Sequence, residues 1–141
     1  NGWVIPIEFA YTYTESAFQN SFLSSFSQWG NVTSGDELPY LPKHSARLQV
    51  GISNQQFSFN TALRYVSEMR EIAGQGALEV GNFTPQHTII DMSANWFINE
   101  DWKIQLVGEN ITNKRVIAAR RPIGARPTAP SLVRLGVQYQ F

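Results

Sequence analysis

The chain has 141 residues, with 11 basic and 11 acidic side chains and no cysteine. Zero net charge argues against a global electrostatic footprint for nucleic acid, and the lack of Cys excludes disulfide scaffolds, Cys-based zinc sites and thiol nucleophiles. Aromatic residues make up 13% of the chain and charged residues only 16%, against a charged fraction of about 25% in soluble domains. With abundant Ser, Thr, Asn and Gln, that balance suits a wall with one face toward an apolar medium and the other toward water. No apolar run approaches the length of about 18 residues needed for a membrane helix, but membrane-spanning strands carry a much weaker hydropathy signal. The chain opens without a basic, apolar targeting segment, so an exported protein would be represented here by a mature or internal piece.

Period-two alternation, the pattern of half-exposed strands, recurs six times. The first segment sets Ile5, Ile7, Phe9, Tyr11 and Tyr13 against Glu8, Ala10, Thr12 and Thr14. After a long connection from Ser16 to Tyr40, the second sets Ala46, Leu48, Val50 and Ile52 against Ser45, Arg47, Gln49 and Gly51. Across the short turn Ser53–Gln56, the third sets Phe57, Phe59, Thr61, Leu63 and Tyr65 against Ser58, Asn60, Ala62, Arg64 and Val66. A second long stretch, Glu71 to His87, carries Gly74, Gly76, Gly81 and Pro85. The fourth segment sets Ile90, Met92, Ala94, Trp96 and Ile98 against Asp91, Ser93 and Asn95, with Ile89 and Phe97 interrupting the polar side. Asn99, Glu100 and Asp101 turn the chain into the fifth, where Trp102, Ile104, Leu106 and Gly108 oppose Lys103, Gln105, Val107 and Glu109. A third long connection, Thr112 to Pro130, precedes the sixth, with Val133, Leu135, Val137, Tyr139 and Phe141 opposite Arg134, Gly136, Gln138 and Gln140.

None of the six apolar faces holds a charge; the opposite faces hold Glu8, Arg47, Arg64, Asp91, Lys103, Glu109 and Arg134. A basic side chain on the lipid side of a barrel wall costs roughly 2–4 kcal/mol at the midplane. A slip of one residue would carry a strand's whole polar set there, so register is strongly fixed. Long and short connections alternate as in outer-membrane barrels, with brief periplasmic turns and extended outside loops. In that orientation Trp3, Phe57, Phe59, Trp96, Trp102, Tyr139 and Phe141 gather at the periplasmic rim. Tyr11, Tyr13, Tyr40 and Tyr65 gather at the outer one, and Trp29 lies in the first long loop. Two aromatic belts are what a bilayer's interfaces select. The expected fold is therefore an all-β, antiparallel transmembrane β-barrel in the bacterial outer membrane. Six strands cannot close such a barrel, which needs at least about eight, and an open edge is not tolerated in hydrocarbon. Residues 1–141 are then expected to be a fragment or one chain of a larger assembly.

The pair Trp102–Leu106 and Gly108–Lys114, the loop Pro122–Pro127 and the alternating last strand ending in Phe141 resemble the C-terminus of TonB-dependent outer-membrane receptors. Glu109-Asn110-Ile111-Thr112-Asn113-Lys114 carries Ile-Thr-Asn where that family's stretch more commonly reads Leu-Phe-Asp. Upstream, Ala10–Thr14 and Gly35–His44 are similar to the same receptors, and Arg120-Arg121-Pro122 followed by Gly124–Pro127 resembles the ferric dicitrate branch. The resemblance implies a barrel of roughly 22 strands with a plugged lumen, of which residues 1–141 are the C-terminal part, without the N-terminal plug or the earlier strands. It also implies active uptake of a ferric chelate such as ferric citrate or a siderophore, of cobalamin or of a sugar, energised through TonB by way of the N-terminal region. No cofactor and no catalytic residue is implied.

Lys114, Arg115, Arg120, Arg121 and Arg126 cluster in the last long loop, and no acid lies between Asn110 and Phe141. Arg115, Arg120, Arg121 and Arg126 are candidates for capturing an anionic ferric chelate by guanidinium–carboxylate pairing. Equally open is that they meet lipopolysaccharide phosphates, pair with acids elsewhere or pin the loop. Val137, Tyr139 and Phe141 have the form of a sorting signal for the barrel-assembly machinery, or simply close the aromatic belt. The inward charges serve a wall–plug interface or a wet lumen. His44 and His87 lack the Cys or spaced acid of a metal site and are read as structural. Glu68 and Glu71 either line a substrate path or are solvated acids. Matches to the glycosylation pattern at Asn31, Asn82 and Asn110, and the isolated Gly74-Gln75-Gly76, have no supporting context. Among other functions, a hydrolase would need a serine–histidine pair reaching from adjacent strands, and Ser45 beside His44 faces the wrong way. A soluble β-sandwich would have short loops at both ends and evenly spread aromatics. A passive porin shares the wall pattern and is the alternative that only the resemblance disfavours.

Overall fold

The computed structural model describes residues 2–120 and 124–141. Six strands, β1 (Ile7–Tyr13), β4 (His44–Ser53), β5 (Phe57–Val66), β8 (His87–Phe97), β9 (Trp102–Glu109) and β12 (Leu132–Tyr139), form one antiparallel sheet in which each pairs with its sequence neighbour. The three longest strands, β4, β5 and β8, have 10, 10 and 11 residues, matching the about 9–11 that a tilted strand needs to cross a bilayer. The long connections are not structureless. Each contains a two-stranded ribbon: β2 (Phe22–Leu23) with β3 (Asn31–Val32), β6 (Met69–Arg70) with β7 (Phe83–Thr84), and β10 (Ile117–Ala119) with β11 (Arg126–Pro127).

Both short turns are built on one device. The Asn54 side-chain oxygen accepts from the backbone N–H of Gln56 (2.9 Å) and Phe57 (2.7 Å). The Asn99 oxygen accepts in the same way from Asp101 (3.0 Å) and Trp102 (2.8 Å). An Asx side chain that caps its own turn lets a strand reverse within three or four residues.

The register keeps the alternation intact across the sheet: Phe9 faces Leu48, Leu48 faces Leu63, Leu63 faces Ile90, and Leu106 faces both Ala94 and Leu135. This face has nothing packed on it. Phe9 is 67% exposed and Leu135 72%, and Val32 is the one buried hydrophobic side chain among the described residues. A water-soluble sheet would cover such a face; here the apolar side chains look outward and the core of an ordinary globule is missing. The opposite face is concave and polar, lined by Arg47, Arg64, His87, Asp91, Glu109 and Asn110 among others. Its ion pairs, Arg64–Asp91 (2.7 Å) and Arg134–Glu109, run diagonally between strands. Directly opposite these arginines lie Ile89 and Val107, and on its other side Arg64 faces Arg47, so it is the diagonal reach of a long side chain that brings each guanidinium to a carboxylate.

Aromatic rings cluster at the two ends of the outward face. At the short-turn end Trp102 lies 4.7 Å from Tyr139, which lies 6.3 Å from Phe141. At the long-loop end Tyr11 and Tyr13 flank His44, at 6.1 and 5.3 Å between ring centroids, and the Tyr11 hydroxyl is 2.8 Å from His44 Nδ1. Tyr40 leaves this row: it is half-buried in the turn before β4 with a left-handed φ of 58°.

In the complete barrel, Leu135→Arg is expected to destabilise the wall by about 2–4 kcal/mol, read from the urea-unfolding midpoint in phospholipid vesicles. Gln105→Arg, on the polar face, is expected to move it far less. Equal shifts would mean that the Leu135 face does not meet lipid.

Candidate functional site

All three long connections leave from the same end of the sheet, where their ribbons are tied into one layer. The first loop holds an edge-to-face cluster in which Trp29 lies 5.5 Å from Phe18, 6.0 Å from Phe22 and 5.6 Å from Phe26. It is joined to the second loop by backbone pairing of Glu37 with Gly74 (2.9 Å) and of Ala73 with Gln28 (3.0 Å). The Gln75 amide donates to buried Asp36 (3.1 Å). Glu37 is gripped from both sides, by Lys43 Nζ at 2.6 Å and by Arg70 Nε at 3.1 Å. The bond from Lys43, reinforced by Arg70, holds the Glu37 carboxyl below the ordinary carboxylate range, and the same bond raises Lys43.

The second loop is tied onward to the third. Glu71 is 2% exposed and Thr84 is fully buried. Glu71 Oε1 accepts from Thr84 Oγ1 (3.1 Å) and from Arg120 Nη1 (3.0 Å), and the same Arg120 nitrogen donates to the Phe83 carbonyl (2.9 Å). Neighbouring residues Arg70 and Glu71 therefore face opposite ways, one bonded back to the first loop and one forward to the third. Glu71 is neither a solvated acid nor a path-lining one, because its carboxylate is consumed by this junction. Glu68 is exposed.

Of the four arginines singled out in the last loop, Arg120 is half-buried and ion-paired. Arg115 is exposed, with Nε donating to Asn113 Oδ1 at 3.3 Å. Arg126 is exposed on β11, and Arg121 lies outside the described residues. In the ribbon β10–β11, Arg126 pairs with Ala119, next to Arg120 in the chain, whose own side chain is directed to Glu71. Val137, Tyr139 and Phe141 are all exposed on the outward face, 62%, 52% and 107% respectively. His44 lies on the outward face between two tyrosines, and the His87 Nδ1 donates to the Pro85 carbonyl at 3.1 Å. Sequence reasoning gave no structural role to Glu37, Arg70, Thr84 and Asn110: Arg70 and Thr84 lie in two-residue ribbon strands, too short to show a period, and Glu37 and Asn110 stand out only as members of family-like stretches.

Removing the Arg120 guanidinium strands a buried carboxylate with a single hydroxyl. Arg120→Ala is expected to weaken the junction by roughly 2–3 kcal/mol, read as faster hydrogen exchange at the amides around Thr84 and faster proteolysis of residues 112–130. The double variant Glu71→Gln, Arg120→Gln, which leaves no buried charge, is expected to recover most of that protection. No change in the single variant would show that the ion pair does not join the loops.

The family described as TonB dependent receptor-like, beta-barrel matches residues 1–111. Solved structures extend the likeness through the last strand. The closed form of the ferric-catecholate import receptor Fiu from K12 E. coli superposes with a TM-score of 0.73 over 97% of this chain and 19% of its own, at 20% identity. The siderophore receptor PiuA from Acinetobacter baumannii gives 0.73 over 96% of this chain and 19% of its own, at 21% identity. The open form of Fiu gives 0.62 over 73% and 16%, at 22% identity. The chain spans about a fifth of the length of Fiu in its closed form and of PiuA, and no curated protein matches it in sequence. With the family match covering most of its length and the sheet, register and outward apolar face agreeing, the chain belongs to the TonB-dependent receptor β-barrel family.

Proposed function

We propose that this chain is part of the wall of a bacterial outer-membrane importer that takes up a scarce nutrient, an anionic ferric chelate of citrate or siderophore type, energised through TonB. The observation that carries this is the layer of joined loops holding exposed arginines at the long-loop end of a wall whose other face is apolar. Arg115 and Arg126, with the Glu71-bound Arg120, present cations where an incoming anion meets the receptor, Arg121 being a further candidate by sequence, and planar guanidinium forks suit carboxylate or catecholate oxygens. The names of Fiu and PiuA, a ferric-catecholate and a siderophore receptor, support an iron chelate as cargo. The Arg120–Pro127 loop supports the finer assignment to a dicitrate-like ligand.

In this reading the long loops face outside, with lipopolysaccharide around their base. The polar face meets a plug domain supplied by the rest of the protein, whose N-terminal region contacts TonB. The barrel-assembly machinery reads Val137, Tyr139 and Phe141 in the last strand. A passive porin would share the wall; family membership weighs against it.

Arg115→Ala combined with Arg126→Ala in the complete receptor is expected to weaken binding of ferric citrate, or of a ferric tris-catecholate, by about tenfold or more for each charge-assisted hydrogen bond removed. Tryptophan-fluorescence titration at low salt measures this, and unchanged affinity for both chelates removes these arginines from the site. Deleting Phe141 is expected to lower the amount of assembled receptor at the cell surface while synthesis continues. Normal surface levels would leave the residue a belt aromatic only.

A further inference from the structure

The last long loop departs from β9 at Asn110, a residue that is 3% exposed and left-handed, with φ at 45°. Its side chain holds both ends of the loop. The amide nitrogen Nδ2 donates to the Lys114 carbonyl (3.1 Å) and, across the neck, to the Ala129 carbonyl (2.7 Å). Oδ1 accepts from the Lys114 N–H (2.9 Å). The backbone N–H of Asn110 donates to Asp91 Oδ1 (2.8 Å), while Asp91 Oδ2 takes the bond from Arg64 (2.7 Å). One step further on, Ile111 N–H donates to the Ile90 carbonyl (2.9 Å). Ile111 folds back so closely over Gly108 that a Cβ there would lie 2.8 Å from Ile111 Cγ2.

These bonds form a continuous path from the polar wall, through Arg64, Asp91 and Asn110, to the base of the arginine-bearing loop. We propose that Asn110 is the positioning residue of that loop: its carboxamide closes the neck between Lys114 and Ala129, and Asp91 anchors it to the wall. The chemistry explains the residue type. Asn tolerates the left-handed backbone better than most residues and presents a donor and an acceptor in one neutral group. Asp lacks the donor and would set a second charge beside Asp91; Gly allows the turn but has nothing to grip with. The consequence for ligand capture rests on the anionic-chelate reading above, whereas closure of the neck does not.

The test uses the full-length receptor assembled in outer membranes. Asn110→Gly keeps the turn and removes the grip; Asn110→Asp keeps the size and the acceptor and removes the donor. In both, the receptor is expected to assemble to the parental level. Tryptic cleavage after Arg115 is expected to rise about tenfold in both, and hydrogen exchange at the Lys114 amide in Asn110→Gly, which alone loses that amide's acceptor, the effect of losing hydrogen bonds worth a few RT. Affinity for whichever probe the parent binds, ferric citrate or a ferric tris-catecholate, is expected to fall with them. Parental exchange and cleavage in both variants overturn the proposal. So does failure of both to assemble, which would make Asn110 a residue of the wall and not of the loop. A loosened loop with unchanged affinity upholds the positioning role and instead takes the arginines out of the chelate site.

Discussion

A polypeptide crossing hydrocarbon must satisfy every backbone N–H and C=O from within the protein, and the sheet does this entirely sideways. Each of β4, β5, β8 and β9 is paired along both edges, so the backbone makes no demand on either face. That frees the two faces to take opposite character, one row apolar and one row charged, without any core between layers. The same constraint makes register the quantity on which everything else depends. Arg64 reaches Asp91 and Arg134 reaches Glu109 only because both members of each pair fall on one side.

Beyond the wall, the rules change. The loops stand in water, where a few residues of ribbon cannot hold themselves together, and the stabilisation comes from polar cross-ties instead. Glu37 joins Lys43 and Arg70, Gln75 joins Asp36, and Glu71 joins Thr84 and Arg120. A wall fixed by periodicity thus carries a cap fixed by individual side chains. Exposed cations, Arg115 and Arg126, sit on the cap while its buried acids, Asp36 and Glu71, are taken up by cross-ties.

This division explains what could be read from the residues in order. Phe57–Val66 and Trp102–Glu109 were legible to the residue because a charge on the wrong side of a wall is costly, so alternation is enforced at every step. The ends of other strands were less so: β8 begins at His87, two residues before the alternation becomes visible. β1 begins at Ile7, although Val4 pairs with Ser53, because Pro6 has no N–H to continue the ladder. The cap was hardly legible. Glu71 reads as any surface acid until Arg120, in another loop, is known to lie 3.0 Å away. Asn110 reads as part of a family-like stretch, but nothing in its neighbours reveals that it spans to Ala129. A strand is specified by its own repeat; a cross-tie is specified by a partner that chain distance conceals.

The opposed pairing of Arg70 and Glu71 restricts how the second loop can vary. Lengthening the chain between Ser67 and Glu71 would rotate one of the two side chains out of reach of its neighbour. The hairpin tip is different: Val80 is 96% exposed and Gly81 is left-handed at 91°. Inserted segments are thus better accommodated at that tip than at the tied base.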